Sequence, residues 1–364
     1  MLSTDQASPL VLYTTDPLNG GPRLEELIRS FLTPEPFFFV RNHGTVPRLL
    51  PATYRLFVDG LVQQPLVLSL ADLQARYARR TMAATLQCAG NRRSELIQIA
   101  PIAGEIPWGP EAIGTASWGG YPLGDLLADA GVLAEASHVT FTGLDRIKRQ
   151  GEDIPFGASV SLAKALSPEV LLADTMNGTA LSPTHGAPLR VVVPGYIGAR
   201  SVKWLGRITV QDHPSCNFYQ AHAYRHFAPD VSSETANWEA APMLEGVSVN
   251  AAICVARKFS QGRSRRGLLR GYALGSDMVP IEQVEVTADG GSHWGPARLL
   301  PEQAPWTWRL WEAELALEAD PGWVAVRARD ALQQTQPELL TAVWNFKGYL
   351  NNAWHVFHLH EEGW

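Results

Sequence analysis

The chain has 364 residues, 46% of them hydrophobic and 18% charged, and carries a formal net charge of -6. That length exceeds what one core usually fills, so two domains are expected. The negative balance argues against a general nucleic-acid binder, and no apolar run reaches the roughly 20 residues of a membrane-spanning helix. Cys88, Cys216 and Cys254 are odd in number and far apart, which argues against a disulfide framework and fits a reducing compartment.

The opening MLSTDQASPLVLYTTDP has no basic stretch followed by an apolar core and no twin-arginine pair. As written it reads as cytoplasmic, with the periplasm as the alternative where an export signal has been trimmed. Residues 1 to about 50 are proline-rich, ending in the apolar run Phe37-Phe38-Phe39-Val40, which stops at Arg41-Asn42-His43 and suits a strand delivering side chains to a site. Tyr54 to Val62 reads as strand, Asp59-Gly60 turn, strand; Ser69 with Asp72 three positions on predicts a capped helix over ADLQARYARR.

Capped helices are expected at PLGDLLADAG, closing at Gly131, and SLAKAL, opening at Ser161, between strand-like VTFTG, LRVVVPG and VKWLGRITV. From about Ala240 the segments NAAICVARK, LLRGYAL, EQVEVTADGGSHW, WTWRLWEAELAL, WVAVRARD and NAWHVFHLH are short, β-branched or aromatic, and separated by turn residues. They predict a β-sandwich, with a tight hairpin at Asp289-Gly290-Gly291. The polar stretch Asp230 to Glu239 marks the boundary, giving an α+β chain: a mixed α/β domain over 1–235 and an all-β domain over 236–364.

The stretch ATLQCAGNRRSEL, residues 84–96, carries the chemistry. The plain reading of Cys88 is a small buried residue ending a strand. Arg92 and Arg93 change that, because adjacent guanidinium charges favour a thiolate, which is a nucleophile or a soft metal ligand. No paired CxxC accompanies it, so a closed zinc site is not expected there. His213, Cys216, His222 and His226 have spacings that could hold zinc, against the simpler reading of linker residues around Tyr224. His355, His358 and His360 read as part of a surface strand. Arg257 to Arg270 reads as a solvated loop, with steering of an acidic electron-accepting protein as the alternative.

Four blocks together, FVRNH (39–43), CAGNRRSE (88–95), HGAPLRVVVPGYIGARSVKWLGR (185–207) and WNFKGYLNNAWH (344–355), resemble in order the sulfite oxidase family of molybdenum enzymes. The resemblance runs from about Phe37 to the C-terminus. It implies a molybdopterin-binding catalytic domain followed by an immunoglobulin-like dimerisation domain, and hence a homodimer. It also implies that Cys88 is the protein's single bond to molybdenum, a role that suits soft sulfur.

By the same resemblance, Phe39, Val40, Arg41, Asn42, His43, Asp145, His185, Arg190, Ser201, Val202 and Lys203 contact molybdopterin, with Arg190 and Lys203 supplying fixed positive charge. Around Asp145 the loop Arg146 to Asp153 departs from the family pattern. Arg41, Arg93, Lys347, Trp108 and Tyr224 are the implied substrate-pocket residues. Tyr224 is flanked by Ala223 and Arg225, where the family typically has aspartate and lysine. Lys347 stands where sulfite oxidases commonly carry arginine and plant or fungal nitrate reductases methionine; it keeps the charge and loses the bidentate fork.

The implied activity is oxidation of sulfite to sulfate. No cytochrome b5-like segment and no Rossmann or flavin fingerprint is read, so no haem is expected in this chain and a separate electron acceptor, such as a cytochrome, is. The rival on the same fold is a reductase of nitrate or another oxyanion. A rival of a different class is a non-catalytic scaffold stabilised by zinc.

Overall fold

The computed structural model describes residues 8–261, 264–301, 304–317 and 322–359. Its first half contains two five-stranded, mainly antiparallel sheets, with two small two-stranded pairs beside them. One has the spatial order Gly157–Ser161, His138–Gly143, Leu205–Gln211, Leu56–Gly60, Leu66–Leu68, and only its Leu205–Gln211/Leu56–Gly60 pair is parallel. The other runs Thr179–Ala180, Leu171–Met176, Ile113–Pro122, Arg80–Gln87, with Arg190–Val192 also paired to Leu171–Met176. Leu56, Val58, Phe141, Leu172, Val191 and Ile208 share one buried core with the helix Leu123–Ala130. That helix buries Leu123, Leu126, Leu127 and Ala130, the i, i+3, i+4, i+7 face of an amphipathic helix.

Capping chemistry sets the helix ends. Ser69 and Asp72 form the expected reciprocal box, and Ser161 accepts from the Lys164 N–H. Gly131 closes its helix with φ +69°, a left-handed conformation that glycine adopts without steric cost. The helix capped by Ser69 is shorter than expected, Leu70–Arg76, because Tyr77 turns extended and Arg80 opens the next strand.

Three local expectations are corrected. Asp59 and Gly60 lie inside the strand Leu56–Gly60, where Thr209 Oγ1 donates to Asp59 Oδ1 at 2.8 Å, and the chain reverses further on, after Gly60. Phe37–Val40 is not a strand: Glu35–Phe37 is a 3-10 turn, and Val40 makes a single bridge to Gly20. Pro34 and Pro36 favour that turn, since the fixed φ of proline suits its first residues. Arg257 to Arg270 is no loop but the body of a long hairpin, Asn250–Gln261 with Ser264–Leu274; Gly262 and Arg263 lie outside the described residues.

The second half is a sandwich of two four-stranded sheets. One has the order Asn250–Gln261, Ser264–Leu274, Arg309–Ala316, Arg298–Leu299; the other Gly295–Pro296, Ile281–Thr287, Trp323–Asp330, His355–His358. Ile253, Leu269, Trp311, Val284, Val324 and Val326 fill the space between them. Gly290 and Gly291, with φ +78° and +85°, turn the chain between Thr287 and Gly295, so that hairpin is wider than a two-residue turn.

Arg92 ties the halves together and is fully buried. It donates to Glu95 through Nε (2.8 Å) and Nη2 (2.7 Å), to Asn250 Oδ1 (2.6 Å), and to the Trp354 carbonyl (3.2 Å). Burial pushes the Glu95 carboxyl up, and the charge of Arg92 with the hydrogen bonds it donates more than offsets it. Arg92→Met leaves Glu95 buried without its guanidinium and is expected to cost about 3–5 kcal/mol, read as a lower urea midpoint or melting temperature.

His355 belongs to the same network and is buried, unlike the surface position expected for it; His358 is exposed, and His360 lies outside the described residues. Its Nδ1 accepts from the Ile253 N–H at 3.1 Å, which places the ring proton on Nε2. Burial lowers its pKa from 6.5 to about 4, so the unfolded chain binds a proton more readily between those values. Stability is therefore complete above pH 6.5 and falls by roughly 3 kcal/mol as the pH drops toward 4. His355→Gln should flatten that part of the stability–pH curve.

Candidate active site

The strand Arg80–Gln87 ends at the edge of a pocket, and the next residue, Cys88, is held there by backbone bonds. Its N–H donates to the Ala112 carbonyl at 2.9 Å, and its carbonyl accepts from the Asn91 N–H at 3.0 Å. Asn91 braces the turn further, accepting from the Ala112 N–H and donating to Tyr272 Oη at 2.9 Å. The thiol is 7% exposed and lines the pocket.

The two arginines that follow diverge, because Arg92 adopts φ +65° before the helix Arg93–Ile97 begins. Arg92 leaves the thiol for the network described above, which corrects the expectation that both guanidinium groups serve it. Arg93 stays close. Its side chain runs between Gly90 and Gly348: a Cβ at Gly90 would strike the guanidinium (Nη2, 2.4 Å) and one at Gly348 the Cγ (2.6 Å). It donates to the carbonyls of Lys347, Gly348 and Ile106.

The pocket holds about 750 Å³ of atom-free space, part of it open to solvent. Beside Cys88 it is lined by Phe39, Arg41, Asn42, His43, Asp145, His185, Arg190, Ser201, Val202, Lys203 and Tyr224. Segments far apart in sequence therefore meet here. Val40 and Trp108 are buried behind the wall, with Trp108 packed edge-on to Tyr13 and Phe39. Lys347 and Arg93 also stand outside the lining, where both face Glu105. Ala199 and Trp204, inside the 185–207 block, also line it, as do Phe38 and Phe156, which lie outside the four blocks and carried no signal in the sequence, since apolar wall residues look like any core residue.

The floor is cationic and largely buried. Arg190 donates to the carbonyls of His185 (3.1 Å) and Ser201 (3.0 Å), while its Nε is buried without a partner. Burial pulls its pKa down to about 9. Lys203 Nζ contacts Asn42 Oδ1 and the Thr184 carbonyl, and burial, with Arg190 next in weight, holds it well below the usual lysine range. Burial raises the Asp145 carboxyl, its strongest offset being the Phe156 N–H donated at 3.1 Å. Unpaired buried cations are costly, and a phosphate would relieve these by accepting from them. The donor set thus fits the phosphate and polar ring of a pterin, and the Cys88 thiol is a soft donor in the same pocket.

Above the floor, hydrogen bonding fixes one direction of proton donation. Arg41 Nη2 lies 3.1 Å from His43 Nδ1, and His43 Nε2 lies 2.9 Å from Tyr224 Oη. A guanidinium only donates, so Nδ1 accepts, Nε2 carries the proton, and the Tyr224 oxygen accepts it. Burial, then Arg41, Lys203 and Lys347, keeps His43 neutral. Burial also raises the Tyr224 pKa, so the phenol keeps a proton free to point elsewhere.

The other histidine cluster does not assemble. Among the described residues no group of three or more His, Cys, Asp or Glu is gathered for a metal. His213 pairs with Asp212 and His222 stacks on Trp238.

Residues 43–219 match the oxidoreductase molybdopterin binding domain, and residues 242–362 the Mo-co oxidoreductase dimerisation domain. The sulfite oxidase of Gallus gallus is 41% identical over 349 residues, covering 93% of this chain and 75% of its own. The chain belongs to the sulfite oxidase family of molybdenum oxidoreductases. Another member, the sulfite oxidase of Arabidopsis thaliana, is 36% identical over 95% of this chain and 92% of its own. The sulfane dehydrogenase SoxCD of Paracoccus pantotrophus superposes with a TM-score of 0.78 at 25% identity, covering 98% of this chain and 91% of that one. The chain spans 64% to 75% of the length of the vertebrate relatives it matches. The family assignment fits the mixed α/β unit and the β-sandwich already described.

A test of the pocket floor follows from its unpaired donors. Arg190→Met should purify with about tenfold less molybdopterin, measured as pterin fluorescence after oxidative extraction, because a charge-assisted bond to phosphate is worth about 1.5–3 kcal/mol.

Proposed function

We propose that this protein oxidises sulfite to sulfate at a molybdenum–molybdopterin centre held by Cys88 and the cationic floor, and passes two electrons to a separate acceptor. The observation that carries this reading is the convergence of the Cys88 thiol, the buried cations Arg190 and Lys203, and the donors Arg41 and Tyr224 on one pocket. The balance is sulfite plus water giving sulfate, two protons and two electrons. When bound, the molybdenum centre supplies the oxygen atom and takes up the electron pair.

The protein's own residues bind and orient the anion. Arg41 is held by Asn19 Oδ1 and the Asn42 carbonyl, and no carboxylate pairs with it among the described residues, so its charge is available to an incoming oxyanion. Tyr224, its oxygen occupied by the His43 proton, directs its own proton toward the anion's oxygens. Such donors, prepaid in orientation and poorly solvated, stabilise developing negative charge strongly. Lys347 keeps a cation nearby and so favours a dianion such as sulfite over nitrate.

The match to a dimerisation domain supports a homodimer. We place the end of the catalytic unit near residue 235, before the sandwich begins. A cytochrome in the cytoplasm or periplasm is the acceptor we propose for the electrons.

Anaerobic stopped-flow mixing of the molybdenum-loaded enzyme with sulfite tests the reading. Rapid bleaching of the visible absorption with stoichiometric sulfate is expected; absence of both in loaded enzyme overturns it. Cys88→Ser should lose turnover altogether while still yielding extractable molybdopterin, since the phosphate and ring contacts come from other residues.

A further inference from the structure

Two of the three cations assigned to the substrate already hold an anion. Lys347 Nζ lies 2.5 Å from Glu105 Oε1, and Arg93 Nη2 lies 3.6 Å from Glu105 Oε2. The Lys347, Arg93 and Glu105 side chains are 19%, 3% and 14% exposed, so solvent screens these contacts little. Glu105 is not needed to fix Arg93, whose Nε and Nη1 already reach three carbonyls between 2.7 and 3.2 Å and whose path is set by Gly90 and Gly348. What the carboxylate adds is negative charge, spread over two oxygens in the manner of an oxyanion.

The placement is that of a competitor. Lys347 and Arg93 lie 5.7 Å and 5.1 Å from the ring of Tyr349, which stacks on Tyr224 at 5.3 Å, so Glu105 sits one ring away from the residue that meets the substrate. Arg41 alone of the three cations has no carboxylate among the described residues. Glu105 also follows an open stretch: Ala103 and Gly104 are exposed, and a Cβ at Gly104 would meet no atom within 4 Å.

We propose that Glu105 is a specificity-determining residue, a built-in anion that occupies Lys347 and Arg93 and yields them to the substrate oxyanion. An incoming ion must displace one carboxylate, which a dianion that also engages Arg41 does and a singly charged ion such as nitrate or chloride does poorly. The same competition weakens product binding and so speeds the release of sulfate. This inference rests on the oxyanion-oxidising reading above.

The test compares the purified holoenzyme with Glu105→Gln by calorimetric titration with sulfate and by steady-state sulfite kinetics. In the variant the sulfate Kd and the sulfite KM are expected to fall about tenfold, the loss of one charged competitor. The gain should vanish in the Lys347→Met background, and Glu105→Asp, whose shorter arm draws the carboxylate back, should lie between. Unchanged or weaker sulfate binding in Glu105→Gln overturns the proposal, as does an equal gain without Lys347. Sulfate binding needs no turnover, so the two readings fail separately. A wild-type enzyme inert to sulfite overturns the function, whereas active wild type with unaltered sulfate affinity in the variant overturns only the role of Glu105.

Discussion

Everything in this molecule answers to the cost of collecting positive charge where water is scarce. Arg190 and Lys203 sit on the pocket floor, Arg41 on its wall, and Arg93 and Lys347 just beyond. Carbonyl oxygens and a single raised carboxyl, Asp145, are the main local compensation on the floor. Such an arrangement is unfavourable in isolation and becomes favourable only with bound anions. The fold accommodates this by bracing the cationic groups with backbone carbonyls, which take up donors without neutralising charge.

The contrast between the floor and the rim is instructive. On the floor no strong ion pair forms, and the pKa values of Arg190 and Lys203 fall under burial. At the rim Glu105 satisfies Lys347 and lies near Arg93. A resident cofactor stays and can serve as permanent counter-charge, whereas a substrate comes and goes, and the cations that meet it need an interim partner. Arg92 shows the third solution, full neutralisation by Glu95, and accordingly serves architecture.

Much of this was legible in the sequence, and the failures are physically specific. Ser69 with Asp72 and the glycine at 131 announce helix ends because capping is local chemistry. The blocks around Cys88, His185 and Phe39 resemble a family, and the structure brings Cys88, His185 and Phe39 to one pocket. The direction of Arg92 was hidden because it depends on one left-handed residue, which no period of 2 or 3.6 anticipates. Asn19, which accepts from the Asn42 N–H at 2.8 Å and so aims the Arg41 segment, and Glu105, whose partner lies 242 residues away, carry no pattern at all. The buried position of His355 likewise depends on Glu95 and Ile253, both remote in sequence.

The passage of Arg93 between Gly90 and Gly348 joins the thiol-bearing turn to a loop of the C-terminal half with no room for a methyl group on either side. The two halves therefore cannot drift independently: a side chain gained at 348 would disturb the thiol-bearing turn that lies more than 250 residues earlier in the chain. For anyone exchanging sandwich domains among relatives, Gly348 and the Asn250–Trp354–His355 group are the fitting parts, and a graft that omits them would assemble two sound halves around a displaced guanidinium.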